Sequence, residues 1–375
     1  MRIGVDGRAF ASPAGGVRRY VSELYRAIRE LDPAIEVVAI GADEGVTLPE
    51  GVSRRGALAL PTNLGWMAAS LPLAVKGAGL SVFHAPAYQA PLWGVHPLVL
   101  TIHDVSYARH PEWHPYRNDP FRRAFYRQSA RGADRIITDS EFSRSEITAA
   151  YGSPLERVSV VPLAASPIFT PGACAAGALP ADVRQPYALH VGDLHARRNL
   201  KTALAAVLAV RRLRELESSG HQGIDAPILV CAGIDRGVAA SLRDEATRAT
   251  DPDALVLTGP LEDAALLNLY RGASMLLYPS RYEGFGLPVL EAMQCGIPVV
   301  AARATSIPEL TGNAAVLLGP EDVEAWSQAI VEILEDATRR TTMSEAGIRR
   351  AAEFSWTRTA AETLAILREV AQRRK

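Results

Sequence analysis

Apolar residues in this chain fall in short consecutive runs rich in branched side chains, and these runs alternate with segments of helical period. In the first half the runs are RIGV (Arg2 to Val5), EVVAIGA, SVFHA, LVLTIHD, RIITDS and VSVVPLA. Helical segments between them include Val17 to Leu31 and Pro120 to Arg131. A strand that is apolar at consecutive positions is covered on both faces, as in a parallel sheet. Alternation of such strands with helices predicts a doubly wound α/β domain.

The period then lapses. Ser166 to Pro186 is rich in Pro, Gly and Ala and reads as a linker. From YALHVGD the alternation restarts, with a helix over Asn199 to Leu216 and further strands PILVCAG, ALVLTG, SMLLYPS and IPVVAA. A helical tail from Glu321 is broken near FSWTRT. The expected fold class is therefore α/β, with two tandem Rossmann-like, doubly wound parallel-sheet domains. The boundaries expected are residues 1–170, a linker at 171–186, a second domain at 187–355 and a terminal helix at 356–375. Two such domains are expected to leave a cleft at the carboxyl ends of their strands, where open α/β sheets bind ligands.

A length of 375 residues agrees with two domains. The net charge of -1 argues against a dedicated nucleic-acid binder. Charge is uneven, however: Arg109 to Arg135 holds seven arginines against three acids. Cys174, Cys231 and Cys295 are far apart and form no CxxC, as expected of reduced thiols in a cytoplasmic protein. The start, MRIGVDGRAF, has no apolar core of a signal peptide, and no run is long enough to span a bilayer.

The stretch PSRYEGFGLPVLEAMQCGIPVV (Pro279 to Val300) carries the sharpest chemistry. Gly284 and Gly286 allow a tight turn after a strand, and Leu287-Pro288 suits a helix start. The free N–H groups and dipole of that start favour a phosphate. Glu283 before the turn and Glu291 one turn into the helix can accept from hydroxyls on either side of it. A ligand with phosphate in the middle and polyols at both ends, such as a sugar nucleotide, satisfies both acids. The alternative is an acid that only complements the helix dipole.

Other candidates support this reading. Gly15-Gly16 follows the first strand and can approach phosphate, or be an ordinary loop. Arg197 and Arg198, with Lys201, open a helix, where cations are badly placed unless an anion is near. His103 and Asp104 end a buried strand and can orient a hydroxyl or assist proton movement, the alternative being a histidine bonded to backbone. GxGxxG is absent, which disfavours NAD. HPEWH has proline where a zinc HExxH has Glu, and Asp251-Pro252-Asp253 sits in a turn, so no metal site is expected. Glu283 and Glu291 bracket a phosphate-type turn, unlike a glycosidase pair.

EGFGLPVLE resembles the E-x7-E signature of glycosyltransferase family 4, retaining enzymes of the GT-B fold. GGVRRY, TIHDVS, HARRN, YEGFGLPVLEAMQCGIPVVAA and FSWTRTA follow in the family's order along nearly the whole chain. The resemblance implies that Glu283 contacts donor-sugar hydroxyls and Glu291 the ribose. Backbone at Phe285, Gly286 and Leu287 would meet the diphosphate or sugar, and Arg197 and Arg198 would neutralise the leaving diphosphate. Gly15 and Gly16 would lie near phosphate, His103 at the donor site beside Asp104, and Gly259 to Leu261 at the base. The final helix would cross back to the N-terminal, acceptor-side domain. Arg18 stands where relatives often have glycine, and Arg198 where they usually have lysine.

The mechanism implied is metal-independent transfer with retention, and the pattern looks most like bacterial mannosyltransferases using GDP-mannose. The expected acceptor is a glycan or lipid-linked glycan of envelope or exopolysaccharide synthesis. Arg117 to Arg135, with Phe121, Phe125 and Tyr126, is expected to dock on anionic membrane at its inner face, or else to be a solvated helix face. Alternatives are a UDP-hexose donor, a nucleotide-sugar epimerase, or a non-catalytic nucleotide-sugar binder.

Overall fold

The computed structural model describes the chain apart from residues 59, 61, 115–116, 218–225 and 374–375. It divides into two compact units, residues 1–164 with 354–375, and residues 165–353. In the first, the strands are β1 (Arg2–Asp6), β2 (Glu36–Ile40), β3 (Val52–Arg55), β4 (Val82–Ala85), β5 (Leu98–Thr101), β6 (Arg135–Thr138) and β7 (Val158–Val160). They form one parallel sheet ordered β3-β2-β1-β4-β5-β6-β7. Its longer helices are α1 (Gly15–Leu31), α2 (Pro120–Gly132) and α3 (Glu141–Tyr151).

The central strands β4 and β5 are buried at every position, which is why their sequences do not alternate. Phe83, Leu98, Leu100 and Ile136 pack with Trp66, Leu71 and Ile147 in one core. Strand β3 (VSRR) was not expected from the sequence. It is an edge strand with two exposed residues, so it needs no apolar run. The helical turns over residues 63–75 were also not expected.

The second unit has β8 (Tyr187–Val191), β9 (Ile228–Ala232), β10 (Leu255–Gly259), β11 (Met275–Tyr278), β12 (Val299–Ala302) and β13 (Val316–Leu318). They form a parallel sheet ordered β10-β9-β8-β11-β12-β13. Helices α4 (Leu200–Glu217), α5 (Ala239–Arg248), α6 (Asp263–Gly272), α7 (Leu287–Gln294), α8 (Val323–Glu335) and α9 (Ala337–Ala351) cover it. Leu200, Leu204, Val207 and Val210 of α4 interlock with Trp326, Ile330 and Ile333 of α8. Edge strand β13 is half-buried and, like β3, lay outside the sequence expectation.

Residues 165–186, in large part read as a linker, group with the second unit. Gln294 Nε2 donates to the carbonyls of Ser166 (3.0 Å) and Phe169 (2.6 Å). Arg271 donates to the Thr170 carbonyl at 3.0 Å, and Phe169 packs edge-on to Tyr270. Partners a hundred residues away order this segment, and no local period announces them.

After the break at Ala352–Phe354, Ser355 Oγ accepts from Arg358 N (3.2 Å) and starts α10 (Trp356–Gln372). This helix belongs to the first unit. Thr359 Oγ1 donates to the Pro162 carbonyl (2.7 Å), Arg368 pairs with Asp32 just after α1 (2.6 Å), and Arg135 of β6 pairs with Glu369 (2.8 Å). Leu364 and Leu367 of α10 are themselves buried. Residues 374–375 of the terminal segment lie outside the described residues. Leu367→Ala, which empties a core position, should destabilise the first unit by about 2–5 kcal/mol. Urea unfolding followed by amide exchange in the first unit's strands checks this, and an unchanged transition would mean α10 is dispensable to that core.

Candidate functional site

In the second unit the chain steps from β8 outward through β9 to β10, then returns to β11 and steps the other way to β13. The strand order reverses between β8 and β11. Loops leaving those two carboxyl ends turn to opposite faces and leave a crevice there. Arg197, Arg198, Glu283 and the start of α7 all lie on these two loops.

After β8, Ala196–Arg198 forms a 3-10 turn, and Asn199 adopts a left-handed conformation (φ 53°) before α4. His195 Nδ1 accepts from the Arg197 N–H (3.3 Å). Asn199 Nδ2 donates to the Pro320 carbonyl (2.6 Å), which fixes the turn from a distant segment. Arg197 points to the Tyr282 carbonyl at 3.5 Å. Arg198 goes inward: its Nη1 donates to Glu283 Oε1 and to the Tyr278 hydroxyl, and its guanidinium lies over the Tyr278 ring.

Glu283 is therefore one half of a buried ion pair, 5% exposed against 9% for Arg198. Ser280 Oγ also donates to Glu283 Oε1 (2.5 Å), and the Glu283 N–H donates to Thr305 Oγ1 (3.0 Å). Ser306 Oγ donates to the carbonyls of Glu283 and Phe285 (3.0 and 3.1 Å). Behind the pair, His190 stacks on Tyr278, and its Nδ1–H donates to the Leu277 carbonyl (3.1 Å). Burial first, then the Arg198 charge, hold His190 down at about 3, so the ring is neutral.

Gly286 caps α7 with φ 107°, where a Cβ would lie 2.7 Å from Ile307 Cδ1. No side chain caps this helix start. Phe285 is buried and Leu287 half-buried. Glu291 is 2% exposed, and the Tyr270 hydroxyl donates to its Oε2 (2.9 Å). Gly259 ends β10 with a left-handed turn (φ 72°), and its carbonyl accepts from Gly233 N (3.0 Å); Leu261 follows, half-buried.

In the first unit the order reverses between β1 and β4. Gly15 and Gly16 open α1, exposed, with no side-chain cap and free space where a Cβ would stand. His103 follows β5. Its Nδ1 faces Asp139 Oδ2 at 2.9 Å and its Nε2 the Pro86 carbonyl at 3.2 Å, while Tyr20 meets the ring edge-on (4.7 Å). Burial opposes charge on His103, but Asp139 beside it, and then Asp104, outweigh that and raise its pKa. The Asp104 carboxylate itself turns to Ser106, accepting from its N–H (2.9 Å) and Oγ (2.8 Å).

The structure thus gathers Arg197, Arg198, Glu283, Phe285, Gly286, Leu287 and Glu291 at one switch point, and His103 with Asp104 at a strand end of the other unit. Asp139, Tyr278, Tyr270, Ser280, Thr305 and His190 were missed. Only Asp139 carried a signal, an acid directly after a buried strand beside β5. Asp251 of the DPD turn is held by Arg211 (2.5 and 2.9 Å). In HPEWH, His110 stacks on Trp113 and His114 meets Tyr107 edge-on.

Two family descriptions match along the chain: Glycosyltransferase Family 4 over residues 14–166 and Glycosyl transferases group 1 over residues 177–350. The chain is 33% identical to the O-antigen chain mannosyltransferase B of Escherichia coli, over 76% of this chain and 73% of that one. This chain belongs to the group 1/family 4 glycosyltransferases. It is also 30% identical to a D-inositol 3-phosphate glycosyltransferase of Thermobispora bispora, over 75% and 67% of the two chains. Sucrose-phosphate synthase from Thermosynechococcus elongatus shares its fold with a TM-score of 0.76 at 21% identity, over 98% of both chains. Anabaena Alr3699/HepE, solved with UDP and glucose, does so at 0.70 and 19% identity, over 98% of both chains. The fold is GT-B, with seven- and six-stranded parallel sheets.

For this glycosyltransferase, two outcomes follow from the site. Gly286→Ala should destabilise the second unit by about 1–3 kcal/mol, since it meets both a disfavoured φ and Ile307. A melting curve unchanged by the substitution would show that the turn relaxes freely. His190, ordinarily near 6.5 and here about 3, takes up a proton on unfolding that it lacks when folded. Its contribution is full above pH 6.5 and is lost as pH falls towards 3. Urea unfolding across that window should show a shallower acid decline in His190→Asn, and an identical decline would show that His190 does not drive it.

Proposed function

We propose that this glycosyltransferase moves a hexose, mannose from GDP-mannose, to a glycan or lipid-linked glycan, with retention of anomeric configuration. The observation carrying this reading is the buried Arg198–Glu283 pair beside the uncapped start of α7 at the β8/β11 switch point. Arg198 and Arg197 would take the charge of a leaving diphosphate, aided by the N–H groups of α7. Among the described residues Arg198 Nε is buried without a partner, a donor that an anion would satisfy. Glu283, held by Ser280 and Thr305, presents a carboxylate to sugar hydroxyls, and Glu291, steadied by Tyr270, accepts from a ribose diol.

In this reaction the bond from the anomeric carbon to the diphosphate breaks, an oxocarbenium-like centre forms, and the acceptor oxygen attacks the same face. The departing phosphate takes the acceptor proton. Positioning and charge stabilisation supply the catalysis, and the reading calls for no metal. His103 would contact the donor sugar, with Asp104 bracing the turn beside it. The loop at Gly15 and Gly16 would approach phosphate, and Gly259 to Leu261 the base.

The Escherichia coli relative supports mannose and an envelope polysaccharide acceptor. The UDP-bound neighbour favours a second reading, a UDP-hexose donor with the same chemistry. Among the described residues no helix is long and apolar enough to cross a membrane. The exposed Phe121 and the arginines of α2 would meet the inner membrane face from the cytoplasm.

Thermal shift with GDP, UDP, ADP and TDP and their hexose conjugates tests the donor. A specific ligand at a hundred times its Kd should stabilise by about 2.7 kcal/mol. A rise with GDP and GDP-mannose alone is expected. A rise with UDP compounds alone would replace the donor, and no rise with any nucleotide would sink the phosphate reading.

A further inference from the structure

At the carboxyl end of β5 both nitrogens of one ring are spoken for. His103 Nε2 lies 3.2 Å from the Pro86 carbonyl, and Nδ1 lies 2.9 Å from Asp139 Oδ2. A carbonyl oxygen can only accept, so Nε2 must carry a hydrogen. A proton must also sit between Nδ1 and the carboxyl oxygen. Whether nearer nitrogen or oxygen, it leaves the pair neutral as a unit and its proton count the same.

The surroundings keep that proton in place. Asp139 is 2% exposed, and its Oδ1 has no partner among the described residues, so His103 is the group that answers its charge. The groups facing the ring are Asp139 from the end of β6, Asp104 from its own turn, Tyr20 from α1, His84 from β4 and Tyr88 from the loop after it. Tyr20 and His84 are themselves tied to Thr101 Oγ1 (3.0 and 2.8 Å), and Tyr25 closes the chain on His84 (2.8 Å). Burial holds His84 at about 3, so it is neutral and adds no positive charge. The nearby charges that bear on His103 are thus carboxylates, which favour the proton.

We propose that Asp139 is a positioning residue that locks His103 in a fully protonated pairing, so that the ring serves sugar transfer only as a fixed hydrogen-bond donor and never as a base. Any substrate oxygen reaching Nε2 in exchange for the Pro86 carbonyl meets an N–H. The His103 side chain keeps 13% of its surface exposed. The role in transfer rests on the reading that His103 touches the donor, but the protonation does not. The linkage follows the raised value: stability from the pair is full below His103's ordinary 6.5 and is lost as pH rises through the folded value.

Nitrogen-15 NMR of the histidine rings in the whole ligand-free protein tests the protonation, with His103→Gln assigning the signal. At neutral pH, Nε2 should show a directly bonded proton, and Nδ1 a proton shared with a carboxylate. Asp139→Asn should move the ring's titration to lower pH, because burial remains while the charge that opposed it is gone. An unprotonated Nε2 in the wild type, or a titration unmoved by Asp139→Asn, overturns the proposal, and the first result stands even if the variant does not fold.

The pH dependence of GDP release from GDP-mannose tests the role. A fixed donor gives a rate that is flat through the ordinary histidine range and falls on the alkaline side, earlier in Asp139→Asn. A rate that climbs through that range as His103 loses a proton is the signature of a base and overturns the assignment. Because the NMR needs no sugar nucleotide, its failure leaves the donor reading standing, and a failure to turn over GDP-mannose leaves the pairing standing.

Discussion

The buried ion pair between Arg198 and Glu283 decides the shape of the second unit's site. It ties the turn after β8 to the turn after β11 across the one place where the sheet order reverses. Taking both charges out of water is costly, and further hydrogen bonds to the two groups offset that cost. Here Tyr278 and Ser280 bond the two charged groups, the Thr305 and Ser306 hydroxyls hold the Glu283 backbone, and stacked His190 stays neutral behind them, leaving Arg198 Nε as the one buried open donor of the pair among the described residues. Losing either partner would strand a buried charge, at a cost of about 3–5 kcal/mol. The two turns consequently have one arrangement relative to each other, and the start of α7 is aimed by it.

The first unit solves a similar problem without a strong cation. A chain of Tyr25, His84, Thr101 and Tyr20 crosses under the strand ends, every link a hydrogen bond of 3.0 Å or less. Such buried networks hold a unique geometry only when each member is paired. Its rigidity seats the aromatic edge of Tyr20 against His103, whose other constraints come from β6 and the loop after β4. Conformational definition at the strand end therefore comes largely from neutral partners, with charge at the His103–Asp139 pair and at Asp104 beside it. The GT-B scaffold hosts many donors and acceptors, which is why the fold by itself does not choose between guanine and uracil.

Much of this was legible along the chain. Consecutive apolar runs marked the buried parallel strands, helix starts at Pro120 and Leu287 fell where proline placed them, and the helix read from Val17 begins two residues earlier, at Gly15. The edge strands β3 and β13 were not legible, because an edge strand owes its place to one neighbour's backbone and needs no apolar face. Residues Ser166 to Pro186, read as a linker, group with the second unit. Their composition is that of a free connector, yet Gln294 and Arg271 pin them to the second unit.

The sequence by itself determined two parallel-sheet units, the glycosyltransferase family and the spacing of Glu283 and Glu291 around a helix start, since period, turn residues and motif spacing are local properties. Tertiary structure alone decided that Arg198 turns inward to Glu283 while Arg197 does not, that Asp104 braces a turn while Asp139 grips His103, and that α10 completes the first unit. Those choices depend on which side chains from distant segments arrive at the same buried point. There the cost of leaving a polar group unpaired selects one partner from several that the sequence would allow.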